Sequence, residues 1–235
     1  MSPFFEAIRQ TVELIMHADS QLLSIIVLSF RVSLSALLIG LLIGLPIAMA
    51  LAVYSFPGKK VVHLIVDTMM ALPPVVVGLI VYLLLSQSSP LGILGLLYTP
   101  TAMIIAQALL ITPIIIALSL PHIRQKWVYL KDQLHMLGYR PIHCFGILLR
   151  EAKFGLITVI LAAFGRAISE IGAVMIVGGN IENHTRVMTT SIASETQQGN
   201  LILALALGII LIFIALLLNS LVHLFKHRFT RQQAL

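Results

Sequence analysis

Charge is what this chain has least of. Asp, Glu, Lys and Arg make up 10% of its 235 residues, against about 25% in an ordinary soluble domain. Hydrophobic residues make up 59%. Together these argue against a water-soluble fold. The single cysteine, Cys144, excludes an intrachain disulfide and reads as a small apolar packing residue. No G-x-x-x-x-G-K-[ST] occurs, so the chain does not hold ATP in a Walker loop. The eight histidines have no metal-ligand spacing, and no metal site is expected. No nucleophile–base arrangement is legible, and no enzymatic activity is expected. Gly/Ser-rich linkers, low-complexity tracts and clear internal repeats are absent too. One domain over 1–235 is the simplest reading. The first residues scatter their charges instead of running basic then apolar, so a cleavable signal peptide is not expected. The net charge of +6 fits membrane topology and anionic lipid headgroups better than nucleic acid.

What is present is long apolar runs. A bilayer core needs about 20 apolar residues per helix. Five stretches qualify: 32–54, 61–85, 101–120, 154–177 and 201–225. The expected fold is an all-α integral membrane protein with five transmembrane helices. Residues 1–31 form an N-terminal segment outside the membrane. In it Phe4, Ile8, Val12 and Ile15 recur at helical spacing, with Glu6, Arg9 and Glu13 elsewhere. That suits an interfacial amphipathic helix. A split at Arg31 gives six spans as the alternative, although no turn chemistry stands there.

Positive charge gives the orientation. With the N-terminus outside, eleven of the fifteen Lys and Arg lie inside, including Lys59, Lys60, Lys226, Arg228 and Arg231. Arg9 and Arg186 lie outside. The other six inner cations crowd into residues 122–153, a loop much longer than the roughly two to eight residues that connect bundle helices. The loop reads as two short helices around a corner. Leu130, Leu134 and Leu137 make a narrow stripe, Gly138 follows as a helix C-cap, and Pro141 comes shortly after. Such a stripe suits a groove on a partner, or equally the inner lipid leaflet.

Prolines punctuate the spans at Pro46, Pro73–Pro74 and Pro113. They are either harmless kinks or bends that line a path and let it open. In the fourth span Arg166 and Glu170 stand one helical turn apart. Counted from Gly155, Arg166 lies about 16 Å along the helix, near the middle of a hydrocarbon core about 30 Å thick. An arginine there needs protein or water and a partner. Glu170 is the obvious one, although Arg before Glu is the weaker helical order. The pair is either structural or functional, since a guanidinium suits an oxyanion. Ser169, Gln107 and Thr112 either bond across helices or line the path. Asp67 and His63 read as interfacial.

Several motifs resemble a family. Asp132-Gln133-Leu134, three residues and Gly138 look like a diverged "EAA…G" motif of ABC-importer permeases. Asp132 stands where that family often has Glu, Gln133 and Leu134 replace a small pair, and Arg150–Glu151 replaces a Leu-Pro. MMALPPVVVGL (69–79) and GRAISEIGAVMIVGGNI (165–181) resemble permeases for molybdate, tungstate and sulfate. TRVMTTSIASETQQGN (185–200) is similar to tungstate-type permeases. The resemblance runs from about 32 to 225. It implies a multi-pass permease of a prokaryotic cytoplasmic (inner) membrane that imports a tetrahedral oxyanion by alternating access, tungstate before molybdate or sulfate. It implies a homodimer, two cytoplasmic ATP-binding subunits that hold the ATP and Mg, and an extracytoplasmic oxyanion-binding protein. No cofactor is expected in this chain.

Carried onto these residues, the resemblance makes Leu130, Asp132, Leu134, Leu137 and Gly138 the coupling element for the ATPase. It makes Arg166, Glu170, Ser169, Thr112, Pro73 and Pro74 the path or gate. In the outer segment, Glu182, Arg186 and Glu195 become contacts for the binding protein. The alternative is an ion-coupled carrier, or an intramembrane enzyme, acting without an ATPase. A carrier predicts inverted repeats or paired broken helices, which the sequence does not disclose.

Overall fold

The computed structural model describes residues 3–16 and 20–230. The described residues form helices joined by short turns, without strands. Nine α-helices follow one another: α1 (Pro3–Met16), α2 (Ser20–Val53), α3 (Lys59–Ala71), α4 (Pro74–Leu85), α5 (Pro100–Met136), α6 (Phe145–Ile168), α7 (Gly172–Gly178), α8 (Met188–Gln197) and α9 (Leu201–Thr230). Short 3₁₀ turns lie at Pro90–Leu94 and Pro141–Cys144. Helix α1 stands where residues 4–16 predict it, with Phe5, Ile8 and Val12 exposed. The side chains of Phe4, Ile15, Lys226 and Arg228, and all of Arg231, lie outside the described residues.

Three helices are long and apolar enough to cross a bilayer: 22–53 in α2, α5, and 201–221 in α9. Two bent pairs, α3 with α4 and α6 with α7, bring the number to five if each pair is one span. The molecule is an integral membrane protein. Its first span starts earlier than expected, because α2 runs unbroken through an exposed Arg31. The split that would give six spans does not occur.

Prolines act unequally. Pro46, Pro113 and Pro121 sit inside continuous helices. Pro73–Pro74 breaks one. A residue before proline is driven out of the α region. Here two in a row are affected, Leu72 (ψ 132°) and Pro73 (ψ 128°). The chain bends by 100° between α3 and α4.

Residues 122–153 are not two short helices around a corner. Helix α5 continues to Met136, a 3₁₀ turn follows, and α6 begins at Phe145. The reason lies in side chains at 3.5-residue spacing. Ile123, Trp127 and Leu134 are buried with Cys144, Leu148, Ala152 and Leu156, and Leu130 packs against them. The two helices therefore close on each other through the stripe. Gly138 (φ 76°) supplies the left-handed residue that turns the chain after α5, with the Tyr139 N–H donating to the Leu134 carbonyl.

The chain forms two compact units. One combines residues 3–16 and 20–36 with Pro73–Gln107 and Gly165–Leu218; the other combines Leu37–Leu72, Ala108–Phe164 and 219–230. The second holds the cluster around Trp127. The first is organised around α4 and α7. Gly78 lets these helices touch, since a Cβ there would stand 2.6 Å from the Ala173 Cα.

Candidate functional site

The fourth predicted span is two helices. Helix α6 stops at Ile168, α7 starts at Gly172, and they bend by 54°. Arg166 is therefore in the last turn of α6, and Glu170 lies in the break. Their pair is real, with Arg166 Nη1 donating to Glu170 Oε2 at 2.6 Å. It is not a helical i, i+4 pair, so the unfavourable order of the two residues carries no weight. The partners differ in burial: the Glu170 side chain is 5% exposed and that of Arg166 40%. The carboxylate is thus the anchored partner. Its second oxygen, Oε1, accepts the Ala173 N–H at 3.3 Å. Among the described residues the guanidinium has no further hydrogen bond, which leaves donors for another acceptor.

Neighbouring helices close around the break. Gln107 Nε2 on α5 donates to the Ala167 carbonyl at 3.0 Å. Thr189 Oγ1 on α8 donates to the Glu170 carbonyl at 2.8 Å. The N-terminus of α4 completes it: a Cβ on Gly172 would lie 2.7 Å from Val75 Cγ2 and 3.6 Å from Glu170 Oε1. The corner at Pro73–Pro74 thus stands one residue from the packing around Glu170. Two breaks, distant in sequence, meet here.

Of the path residues expected from sequence, Arg166, Ser169, Glu170, Pro73 and Pro74 come together. Ser169 is exposed and donates to the Arg166 carbonyl at 3.1 Å. Thr112 spends its hydroxyl on its own helix, donating to the Ala108 carbonyl at 2.6 Å. Gln107 does bond across helices. Thr189 was not singled out, although its hydroxyl-rich neighbourhood, TTS, stands in the sequence.

The segment 182–200, expected outside the membrane, is not an open loop. Helix α8 buries Met188, Thr189, Thr190, Ser191 and Glu195, and Ser29 Oγ accepts the Met188 N–H at 2.9 Å. Glu195 is turned inward, accepting from Asn200 Nδ2 at 2.9 Å. Arg186 is largely buried between Glu195 at 3.9 Å and Glu182 at 3.8 Å. Glu182 alone of the three is exposed.

In the stretch expected to meet an ATPase, Leu134 is 6% exposed and Leu137 72%. Asp132 is exposed, and so are Met136, Tyr139 and Ile142. The stripe read as one partner-facing surface is therefore divided. Leu130 and Leu134 serve the chain's own core, and the apolar surface left open surrounds Gly138. Among the described residues, no cluster of three His, Cys, Asp or Glu could hold a metal.

Residues 22–231 match the family of binding-protein-dependent transport system inner membrane components. The chain belongs to that family. A probable anion ABC transporter permease protein of Haloferax volcanii is 42% identical over 212 residues, covering 88% of this chain and 91% of its own. The tungstate uptake system permease protein of Peptoclostridium acidaminophilum is 39% identical, covering 93% and 96%. That of Campylobacter jejuni is 38% identical, covering 94% and 93%. Permease subunits of this family are not enzymes themselves. The two bent pairs are broken helices of the kind a carrier would also predict, but the family is that of binding-protein-dependent permeases.

Proposed function

We propose that this chain is the permease subunit of an ATP-driven tungstate importer and that the anion passes Arg166. The observation that carries the reading is a partly exposed guanidinium held at a helix break, in a chain similar over nearly its whole length to tungstate uptake permeases. A guanidinium suits a tetrahedral dianion, offering several N–H donors in a fixed plane. Glu170 competes for it, so the anion is held weakly enough to leave.

The working unit is a homodimer with two ATP-binding subunits inside, which carry the ATP and magnesium, and an oxyanion-binding protein outside. The orientation is N-out, C-in in the inner membrane, supported by the eleven of fifteen Lys and Arg on the inner side. The ATPase seats the turn formed by Met136, Leu137, Tyr139 and Ile142, with Asp132 and Gly138 shaping it. Closure of the ATPases on ATP moves that turn and re-orients the bent helices in alternating access. Glu182 is the exposed candidate for the binding protein, with Arg186 and Glu195 bracing the segment beneath it.

Reconstitution into vesicles with an ATPase subunit and a tungstate-binding protein tests this. ATP-dependent accumulation of tungstate, with molybdate and sulfate weaker, is expected. Uptake driven by a proton gradient without the ATPase would overturn the reading.

A further inference from the structure

In a continuous helix each carbonyl accepts the N–H four residues on. The break between α6 and α7 forfeits such bonds, and freed carbonyls within a membrane must find other donors. Here the replacements come from specific side chains on other helices. On one shoulder, the Ala167 carbonyl accepts the Glu170 N–H at 3.2 Å and Gln107 Nε2 at 3.0 Å. On the other, the Glu170 carbonyl accepts Thr189 Oγ1 at 2.8 Å. Ala167 follows Arg166 directly, and Glu170 is its partner. The residue after Arg166 and the backbone of Glu170 are therefore each held by a bond from another helix.

We propose that Gln107 and Thr189 are positioning residues of transport: they hold the break between α6 and α7 and so set where the Arg166 guanidinium stands. The proposal rests on Arg166 being the residue the anion meets. Fold stability does not explain Gln107. It is 3% exposed, and its Oε1 is buried without a hydrogen-bond partner. A buried acceptor left unbonded is unfavourable, and methionine would fill the same length without it. What Gln107 supplies that methionine cannot is the bond to Ala167. Thr189 is likewise 3% exposed, so its hydroxyl serves Glu170 and not solvent. Gln107 also stands on the one continuous helix, α5, that ends at the Met136–Leu137 turn.

The test uses the complete complex in vesicles and compares Gln107→Met, Thr189→Val, Thr189→Ser and Arg166→Gln. Three quantities are measured: assembly, melting temperature, and tungstate imported per ATP hydrolysed. Gln107→Met and Thr189→Val are expected to assemble and to melt within a few degrees of the parent. Their import per ATP falls about tenfold, the order expected for loss of one buried hydrogen bond. Thr189→Ser, which keeps the hydroxyl, restores the ratio. A parental ratio in both Gln107→Met and Thr189→Val overturns the proposal. So does failure of Thr189→Ser to differ from Thr189→Val, or loss of assembly in both Gln107→Met and Thr189→Val, which assigns the residues to folding. If Arg166→Gln alone loses import, the proposal fails and the role of Arg166 stands. If Arg166→Gln imports normally, that role fails, and this proposal with it.

Discussion

The backbone of Gly78 lies directly against Ala173, leaving 2.6 Å between the Ala173 Cα and any Cβ that replaced a Gly78 hydrogen. Backbone cannot rotate aside as a side chain can, so α4 and α7 would have to separate. Gly78→Val is expected to cost about 1–3 kcal/mol or more through overpacking. It should lower the melting temperature in detergent and abolish uptake. Gly146→Ala, where nothing lies within 4 Å, should melt at or above the parent temperature. Equal melting of Gly78→Val and the parent would show that the contact does not constrain the fold.

Arg166 is half of an ion pair and the only half with appreciable exposure. Arg166→Gln should leave the complex assembled and reduce tungstate uptake to the level of cells lacking the chain. Arg166→Lys keeps the charge but loses the planar fork and should recover only part of the rate. Near-normal uptake by Arg166→Gln would remove the guanidinium from the path.

Leu134 and Leu137 are three residues apart and do different work. Leu137→Asp should leave the permease folded and lose the ATPase subunits on co-purification, since the side chain is exposed. Leu134→Ala leaves a cavity in the core cluster that also holds Trp127 and Leu148, with a cost of about 2–5 kcal/mol. It should fail by instability. Retained ATPase in Leu137→Asp would move the docking surface elsewhere.

Cys144 is fully buried, and burial pushes its thiol above the ordinary range. A raised pKa means less thiolate at neutral pH, and only the thiolate reacts readily. A maleimide should leave the folded protein unlabelled and modify Cys144 after denaturation, as read by mass. Rapid labelling of the native protein would mean that the turn at Pro141–Cys144 opens.

The apolar runs were legible because span length and lipid thickness fix each other. Helices α2, α5 and α9 follow from that, although α2 starts earlier through the apolar Ser20–Phe30 and α5 runs on through a basic stretch to Met136. The corner at Leu72–Pro74 is visible as a proline pair, though the single prolines at 46 and 113 look no less disruptive. What separates them is that two successive residues are forced out of the α region. The break at Ser169–Ile171 was not legible. GRAISEIGAV contains no proline, and the partners that replace its lost hydrogen bonds come from Gln107 and Thr189, far along the chain. Leu134 and Leu137 look alike in the sequence for a related reason. A stripe shows that a helix has an apolar side but not what covers it, and here α6 does.

Helix α7 has 7 residues, about 10 Å of helix, and α4 has 12, about 18 Å. A bilayer core is about 30 Å deep. Neither helix can be threaded into lipid by itself, and α8, with its threonines and buried glutamate, is too polar to try. The full-length helices must enter first. The short ones reach that depth only by packing against longer neighbours, so Arg166 and Glu170 take their places only once those neighbours are in the membrane.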